Sequence, residues 1–337
     1  MAAFSPRSPP NPATSLELLL RDTAGNQSAI RPFPVSGPGN LPPDPATVAT
    51  PLSETAITPL AESTAFLYSG PEPIQTGVAA GTIDPIRAAV VRGRVLDKGN
   101  QPLAGVTVTI KDHPEYGQTL SRADGAFDLA LNGGGLLTLN YEKTGYLPVQ
   151  RQVQTPWHDY VAAQDIVLIA LDPLVTTVDL TADTPMQVAQ GSPMTDADGS
   201  RQATVFFPQG TAASLTLPDG STQPLTNLHV RATEYTVGSN GPQAMPGPLP
   251  ATSGYTYAVE LSVDEAVTTG ATRVDFSQPL PVYVDNFLNF PVGEVVPVGW
   301  YDREKATWIP ADNGKVIKIL GIDASGLAAL DTDGSGL

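Results

Sequence analysis

From residue 88 onward the chain runs in short stretches of alternating apolar and polar positions, each closed by Gly, Pro, Asp or Asn. Residues 88–97 place Val91, Gly93 and Val95 against Arg92 and Arg94. Residues 106–112 alternate strictly, with Val106, Val108 and Ile110 on one side and Thr107 and Thr109 on the other. A period of two is the signature of a half-buried strand. Three further runs follow within 118–173, and the pattern predicts a small antiparallel sandwich. Asp124-Gly125 is a tight-turn pair, which aims Phe127 into the core. A second β-unit is expected beyond it. Its strands fall within 171–182, 203–207, 213–217, 228–234, 255–263, 273–286, 296–302, 306–314 and 315–322, with a hairpin turn at Pro218-Asp219-Gly220. Residues 264–271 (DEAVTTGA) are the one stretch read as a short helical turn.

Upstream the texture differs. Residues 1–87 hold nearly half of the chain's 34 prolines. Such a stretch is expected to be an extended, polyproline-like arm, because Pro removes ladder donors and breaks helix interiors. Two islands interrupt it: residues 15–22 (SLELLLRD) as a strand ahead of a turn at 23–26, and residues 65–68 as a second short strand. The "RDTAGN" run resembles the end of a bacterial immunoglobulin-like domain.

Composition narrows the function. The formal charge is −16 over 337 residues, and no cationic cluster offsets it, so nucleic acid is excluded as a partner. Cysteine is absent, which removes disulfides and thiolate chemistry. No apolar run reaches the length of a membrane span. The first residues lack the h-region of a signal peptide. Export is therefore expected to be handled elsewhere, or the chain to be the N-terminal part of a longer one.

Candidate chemistry is sparse. Asp331, Asp333 and Ser335, with Gly334 and Gly336 beside them, match the opening of an EF-hand-type calcium loop that lacks its bidentate Glu. Calcium is the only cofactor the residues suggest. Asp196-Ala197-Asp198-Gly199-Ser200 carries Arg201 where such a loop needs Gly, and reads as a turn. His113, His158 and His229 are too far apart in sequence for a zinc motif. Trp157-His158-Asp159-Tyr160 is the densest polar-aromatic cluster, read as a loop whose aromatics pack on the sandwich. No Gly-x-Ser-x-Gly elbow or phosphate loop occurs. Residues 285–291 (DNFLNFP) break alternation with Phe287, Leu288 and Phe290. With Tyr301 and Trp308 these are expected to contact a partner.

Two resemblances organise the whole. Gly93, Asp97, Pro102, Gly105, Val106, Val108, Ser121, Asp124, Gly125, Phe127, Lys143, Gly145 and Tyr146 carry a likeness to the carboxypeptidase regulatory-like, or transthyretin-like, domain over 88–172. Met245-Pro246-Gly247, the run 254–266, Phe276 to Pro279, the run 282–288, Pro291 to Gly293, Val296 to Gly299, Tyr301-Asp302 and Trp308 resemble the region before the shell of bacterial Rhs/YD-repeat proteins and teneurins. The second resemblance implies a fibronectin-like plug over 173–337. The implied fold is all-β: a Pro-rich arm (1–87) and tandem β-sandwich domains. The implied function is non-enzymatic. The segment plugs and orients the YD-repeat shell of an Rhs/teneurin-like toxin or surface protein, a shell belonging to the same polypeptide. The implied location is secreted or at the bacterial cell surface, and no small-molecule substrate is implied. YD repeats themselves are absent, the Tyr301-Asp302 pair reading as plug sequence. The competing expectation is a stand-alone extracellular adhesion or carbohydrate-binding β-module.

Overall fold

A computed structural model describes residues 41–236, 240–251, 253–324 and 328–336, with the backbone of two short antiparallel strands, Ser15–Leu18 and Arg31–Pro34. The 23–26 turn and Leu337 lie outside the described residues. The fold is all-β, as its alternation predicts.

The first sandwich is built around the ten-residue strand Ala88–Asp97. It pairs antiparallel with Ala126–Asn132, Phe127 lying opposite Gly93. Facing it is a five-stranded antiparallel sheet in the order Gln75–Thr76, Gln118–Leu120, Thr107–Ile110, Gly135–Glu142, Val149–Thr155. Val91, Val95, Val108, Leu129, Leu139 and Ile166 fill the space between the sheets. Phe127 is buried there and meets Tyr141 edge-on at 5.7 Å. At Gly125 the backbone φ is +77°, and a Cβ would fall 2.4 Å from the Val95 carbonyl oxygen. Only glycine closes this turn, which is why Asp-Gly stands there.

The sandwich departs from the expected antiparallel pattern along one edge. Asp159–Ala162 and Ile166–Leu168 both run parallel to Ala88–Asp97, one along each half of it. The chain leaves the five-stranded sheet after Thr155 and crosses to the other layer. A crossover between layers can deliver a parallel neighbour, whereas a hairpin cannot.

The Pro-rich arm is corrected more substantially. Residues 65–68 are not a strand: Ala65–Leu67 is a 3-10 turn, and it follows the helical turn Leu60–Ser63. Pro45–Val48 and Gly241–Ala244 are also single helical turns, so residues 264–271 are not alone. Proline is compatible with each of these because it sits at the N-cap or in the first turn, where no intrahelical N–H is required. Leu67 and Ile74 bury themselves against Val90 and Ala130, on the outer face of the first sheet. Gln75 is fully buried. Its side-chain amide donates to the carbonyls of Tyr116 (2.7 Å) and Ala130 (2.8 Å), and accepts from the Ala130 N–H (2.7 Å). One side chain thus replaces a neighbouring strand. The sandwich therefore draws in residues well before the expected boundary at 87.

The second unit packs three small antiparallel sheets around Val178, Val205, Phe207, Leu228, Val230 and Val263. The helix Asp264–Thr269 is clamped across the strand Asn227–Glu234. Arg231 makes a two-pronged bond to Asp264 (2.7 and 2.8 Å), and His229 Nδ1 bonds Glu265 at 2.5 Å. Met194–Asp196 and Gly199–Arg201 form a hairpin whose Asp196 pairs with Arg201, so this acidic cluster is a turn. Beyond Glu294 the architecture thins to three two-stranded ladders: Val295–Val296 with Gly314–Lys315, Gly299–Asp302 with Thr307–Pro310, and Lys318–Ile322 with Ala328–Asp331.

Candidate functional site

Two regions could carry function: the seam between the two β-units, and the thin ladders at the far end of the second.

The seam is packed and polar-satisfied. Leu147, Val167 and Ile169 of the first unit share one cluster with Tyr235, Ala244 and Met245 of the second. Beside it lies Arg151, which is buried. Its guanidinium donates to the carbonyls of Gln150 (2.6 Å), Gln243 (2.8 Å), Met245 (2.9 Å) and Pro242 (3.4 Å). Those last three carbonyls end the Gly241–Ala244 turn, where a helix leaves its C=O groups unsatisfied and partly negative. Burial pulls the Arg151 pKa down, yet a guanidinium stays charged under all ordinary conditions. The adjacent Gln150 ties the same loop. Its N–H donates to Pro246 (2.7 Å), its side chain donates to the Arg303 carbonyl (3.1 Å), and it accepts from the Tyr301 hydroxyl (3.0 Å). The Tyr301 ring lies so close to Gly247 that a Cβ there would fall 2.2 Å from it. A second strut is all within the second unit: Arg303 bonds both Glu260 oxygens (3.1 and 2.8 Å) and the Tyr235 hydroxyl (3.2 Å). Burial works against the charge of Arg303, but Glu260 outweighs it and the pKa is raised.

This geometry corrects part of the expected partner surface. Tyr301 is 9% exposed and is spent inside the chain. Trp308 is half-buried and stacks edge-on against Tyr301 at 5.4 Å. Phe287 lies under the Arg201 guanidinium at 4.5 Å and meets Tyr257 at 6.3 Å. Leu288 is half-buried, and Phe290 alone of the five is exposed. The loss of alternation in 285–291 reflects a loop folded over Arg201, where side-chain direction no longer follows a period of two.

The exposed apolar surface lies elsewhere. In Lys318–Ile322 every residue is exposed, Ile319 at 62% and Ile322 at 71%. Leu320 and Leu330 are exposed as well, and so are Val295, Val298 and Trp300 in the neighbouring ladders. The ladder carries a bulge between Ile319 and Gly321 that leaves Leu320 unpaired, and Ile319, Leu320, Ile322 and Leu330 together leave this hairpin open to solvent and apolar. The signal was present in the sequence: the run Ile319-Leu320-Gly321-Ile322 has no polar alternate, as expected of a strand covered on both faces.

The acidic loop at the end of the described residues is a self-capped turn. The Asp331 carboxylate is buried and accepts from the amides of Asp333 (3.2 Å), Gly334 (2.8 Å) and Gly336 (3.0 Å). Asp333 accepts from the Ser335 amide (3.0 Å), and hydrogen bonding to Ser335 lowers its pKa. Among the described residues no group of three or more His, Cys, Asp or Glu side chains is placed to hold a metal ion. Calcium at Asp331, Asp333 and Ser335 rests on the sequence pattern alone. Trp157, His158, Asp159 and Tyr160 are all exposed, yet both aromatics lean on the sandwich as expected, Trp157 on the Gly134 backbone and Tyr160 on Arg92, while Asp159 and Tyr160 belong to a strand. Among the described residues no helix is long and apolar enough to cross a membrane.

Residues 83–168 match the family model described as the Teneurin TTR-like domain. Human teneurin-1 is 32% identical over 121 residues, which are 35% of this chain and 4% of that protein. Teneurin-m of Drosophila melanogaster is 41% identical over 87 residues, 26% of this chain and 3% of its own length. The chain thus spans a few per cent of the length of the curated relatives it matches. Among solved structures, the 3-chlorocatechol 1,2-dioxygenase from Rhodococcus opacus 1CP overlaps 29% of this chain and 65% of its own at 12% identity. Its TM-score is 0.23. The first sandwich is therefore similar to the teneurin transthyretin-like domain.

Proposed function

We propose that the chain is a non-enzymatic structural segment of an extracellular or cell-surface polypeptide. In this reading the transthyretin-like sandwich is a rigid base. The seam fixes the direction of the second unit, and the thin ladders are completed by a larger β-body. The resemblance to teneurins and Rhs proteins makes that body a YD-repeat shell, with the second unit as its plug.

The observation that carries the reading is the Lys318–Ile322 hairpin, whose Ile319, Leu320 and Ile322, with Leu330 opposite, are all exposed at the end of the thin ladders. An isolated two-stranded hairpin is marginal in water, and large exposed apolar patches mark surfaces that another body covers. The polar side-chain pairs support a structural role too. Asp264, Glu265, Glu260 and Asp128 are each tied to a basic partner that holds one element against another. The test is protease resistance of a YD-repeat shell expressed with and without residues 173–337 ahead of it. Slower cleavage of the shell interior with the segment present is expected. Identical cleavage in both forms would remove the plug reading.

A further inference from the structure

The strand Val282–Val284 closes one side of a three-stranded sheet, with Ala203–Pro208 in the middle and Met186–Gln190 beyond it. All three of its residues are exposed. Its ladder to Ala203–Pro208 fixes which way each backbone group points. Val205 lies opposite Val282, Thr204 opposite Tyr283 and Ala203 opposite Val284. One position earlier, the Phe206 N–H donates to the Pro281 carbonyl (3.0 Å). Facing antiparallel residues alternate between bonded and non-bonded pairs. Tyr283 therefore spends its N–H and C=O on Thr204, while Val282 and Val284 turn theirs to the free edge. Among the described residues no other strand pairs with that edge. The side chains are as open as the backbone. Val282 and Val284 share a face with Val205 and Ala203, which are buried, yet they stay 49% and 42% exposed. On the other face the Tyr283 and Phe206 rings meet edge-on at 5.2 Å, and Phe206 lies opposite Val188.

We infer that a second copy of this chain pairs with the Val282–Val284 edge, antiparallel and across a two-fold axis at Tyr283. The edge is self-complementary, as a two-fold contact requires. In that register Val282 faces the partner's Val284, and Val284 faces the partner's Val282. Each of these pairs exchanges both N–H and both C=O groups, so every backbone group the edge leaves open finds a partner. Pro281 falls in a non-bonded pair, where its missing N–H costs nothing. The open valine side chains of the two copies extend one another's core, and the sheet runs on through both molecules. Charge points to the same occupant. Residues 276–284 hold no charged side chain, on a chain of charge −16, so like-charged copies meet with least repulsion here. Asp285, which follows the strand, is held by its own sheet through the Gln202 N–H (2.9 Å). The strand itself carries no Lys, no inward charge and no bulge, the devices that keep an edge from pairing. Three residues a side bury far less than the ~800 Å² per partner of a stable dimer, so the pairing is reversible. This edge belongs to a different sheet from the Lys318–Ile322 hairpin on which the proposed function rests.

Sedimentation velocity on the intact chain, from about 1 to about 300 µM, should show a monomer passing reversibly to a dimer. Amide exchange on the same samples supplies the residue-level readout. The Val282 and Val284 amides should slow in step with the dimer fraction, and that of Tyr283, already bonded to Thr204, should not change. Val284→Pro removes a free-edge donor and no ladder bond, and should hold the chain monomeric across the range. Val282→Lys should do the same, and serves if the proline variant fails to fold. Replacing Ile319 and Ile322 together by Ser should leave the dimer intact. A monomer at every concentration overturns the inference. So does a dimer whose Val282 and Val284 amides stay fast, or one that survives the edge variants. Loss of the dimer in the Ile319 and Ile322 variant overturns it equally, because the contact then lies at the hairpin. Shell sealing is read separately, by protease resistance, so either idea can fail while the other stands.

Discussion

Single side chains hold this molecule's two most exacting junctions. Gln75 supplies both halves of a strand's hydrogen bonding to Ala130. Gln75→Leu leaves buried backbone groups without partners and should cost about 2–4 kcal/mol, read as a lowered Tm in thermal unfolding. Arg151 does the same at the seam for three loop carbonyls. Arg151→Lys keeps the charge but loses the planar fork, so its loss of stability should fall close to that of Arg151→Ala. Full rescue by Lys would show that charge alone matters there. pH acts on the second unit through Glu265. Burial raises its pKa, but bonding to His229 outweighs burial, and the net shift is downward. A depressed carboxylate contributes stability that is present above its unfolded value, near 4.3, and is lost as pH falls through the folded value. Stability should thus hold from neutrality to about pH 5 and decline below. Glu265→Gln should flatten that acid limb in a urea titration across pH 2–6; an unchanged limb would contradict the assignment.

At the scale of elements, the strands that form one hairpin with their sequence neighbour were legible in the sequence. The alternation of Val106, Val108 and Ile110 and the Asp124-Gly125 turn gave the first sandwich, with Phe127 in its core as expected. What escaped was everything set by distant partners. The parallel run of Asp159–Ala162 beside Ala88–Asp97 depends on a crossover, which no local pattern encodes. The turns before Thr76 are too short to show a period, and only the sheet they cover explains their apolar residues. Tyr301 and Trp300 illustrate the limit at the site. Adjacent on one strand, they face opposite ways, and the sequence could not say which meets Gln150. The exposed hairpin yields its own prediction. Replacing Ile319 and Ile322 together by Ser should change the stability of this chain by no more than about 0.5 kcal/mol, since both are open to solvent. The same pair should weaken attachment of a covering body, as read by co-purification with a YD-repeat shell.

Over the whole molecule, the shared cluster of Leu147, Val167, Ile169, Tyr235 and Met245 makes the two β-units one mechanical piece. They should unfold in a single calorimetric transition, and Arg151→Ala should split it into two; a split transition in the unaltered chain would contradict the rigid seam. Rigidity matters because a base that swivels cannot hold the ladders against a larger body. On the proposed function, the Lys318–Ile322 hairpin is unfinished until a larger β-body covers it. Amide hydrogen exchange at these residues tests it most directly, measured on this chain alone and on this chain joined to a YD-repeat shell. Fast exchange is expected in this chain alone, and at least ten-fold slower exchange when it is joined. Equal rates in the two would contradict it.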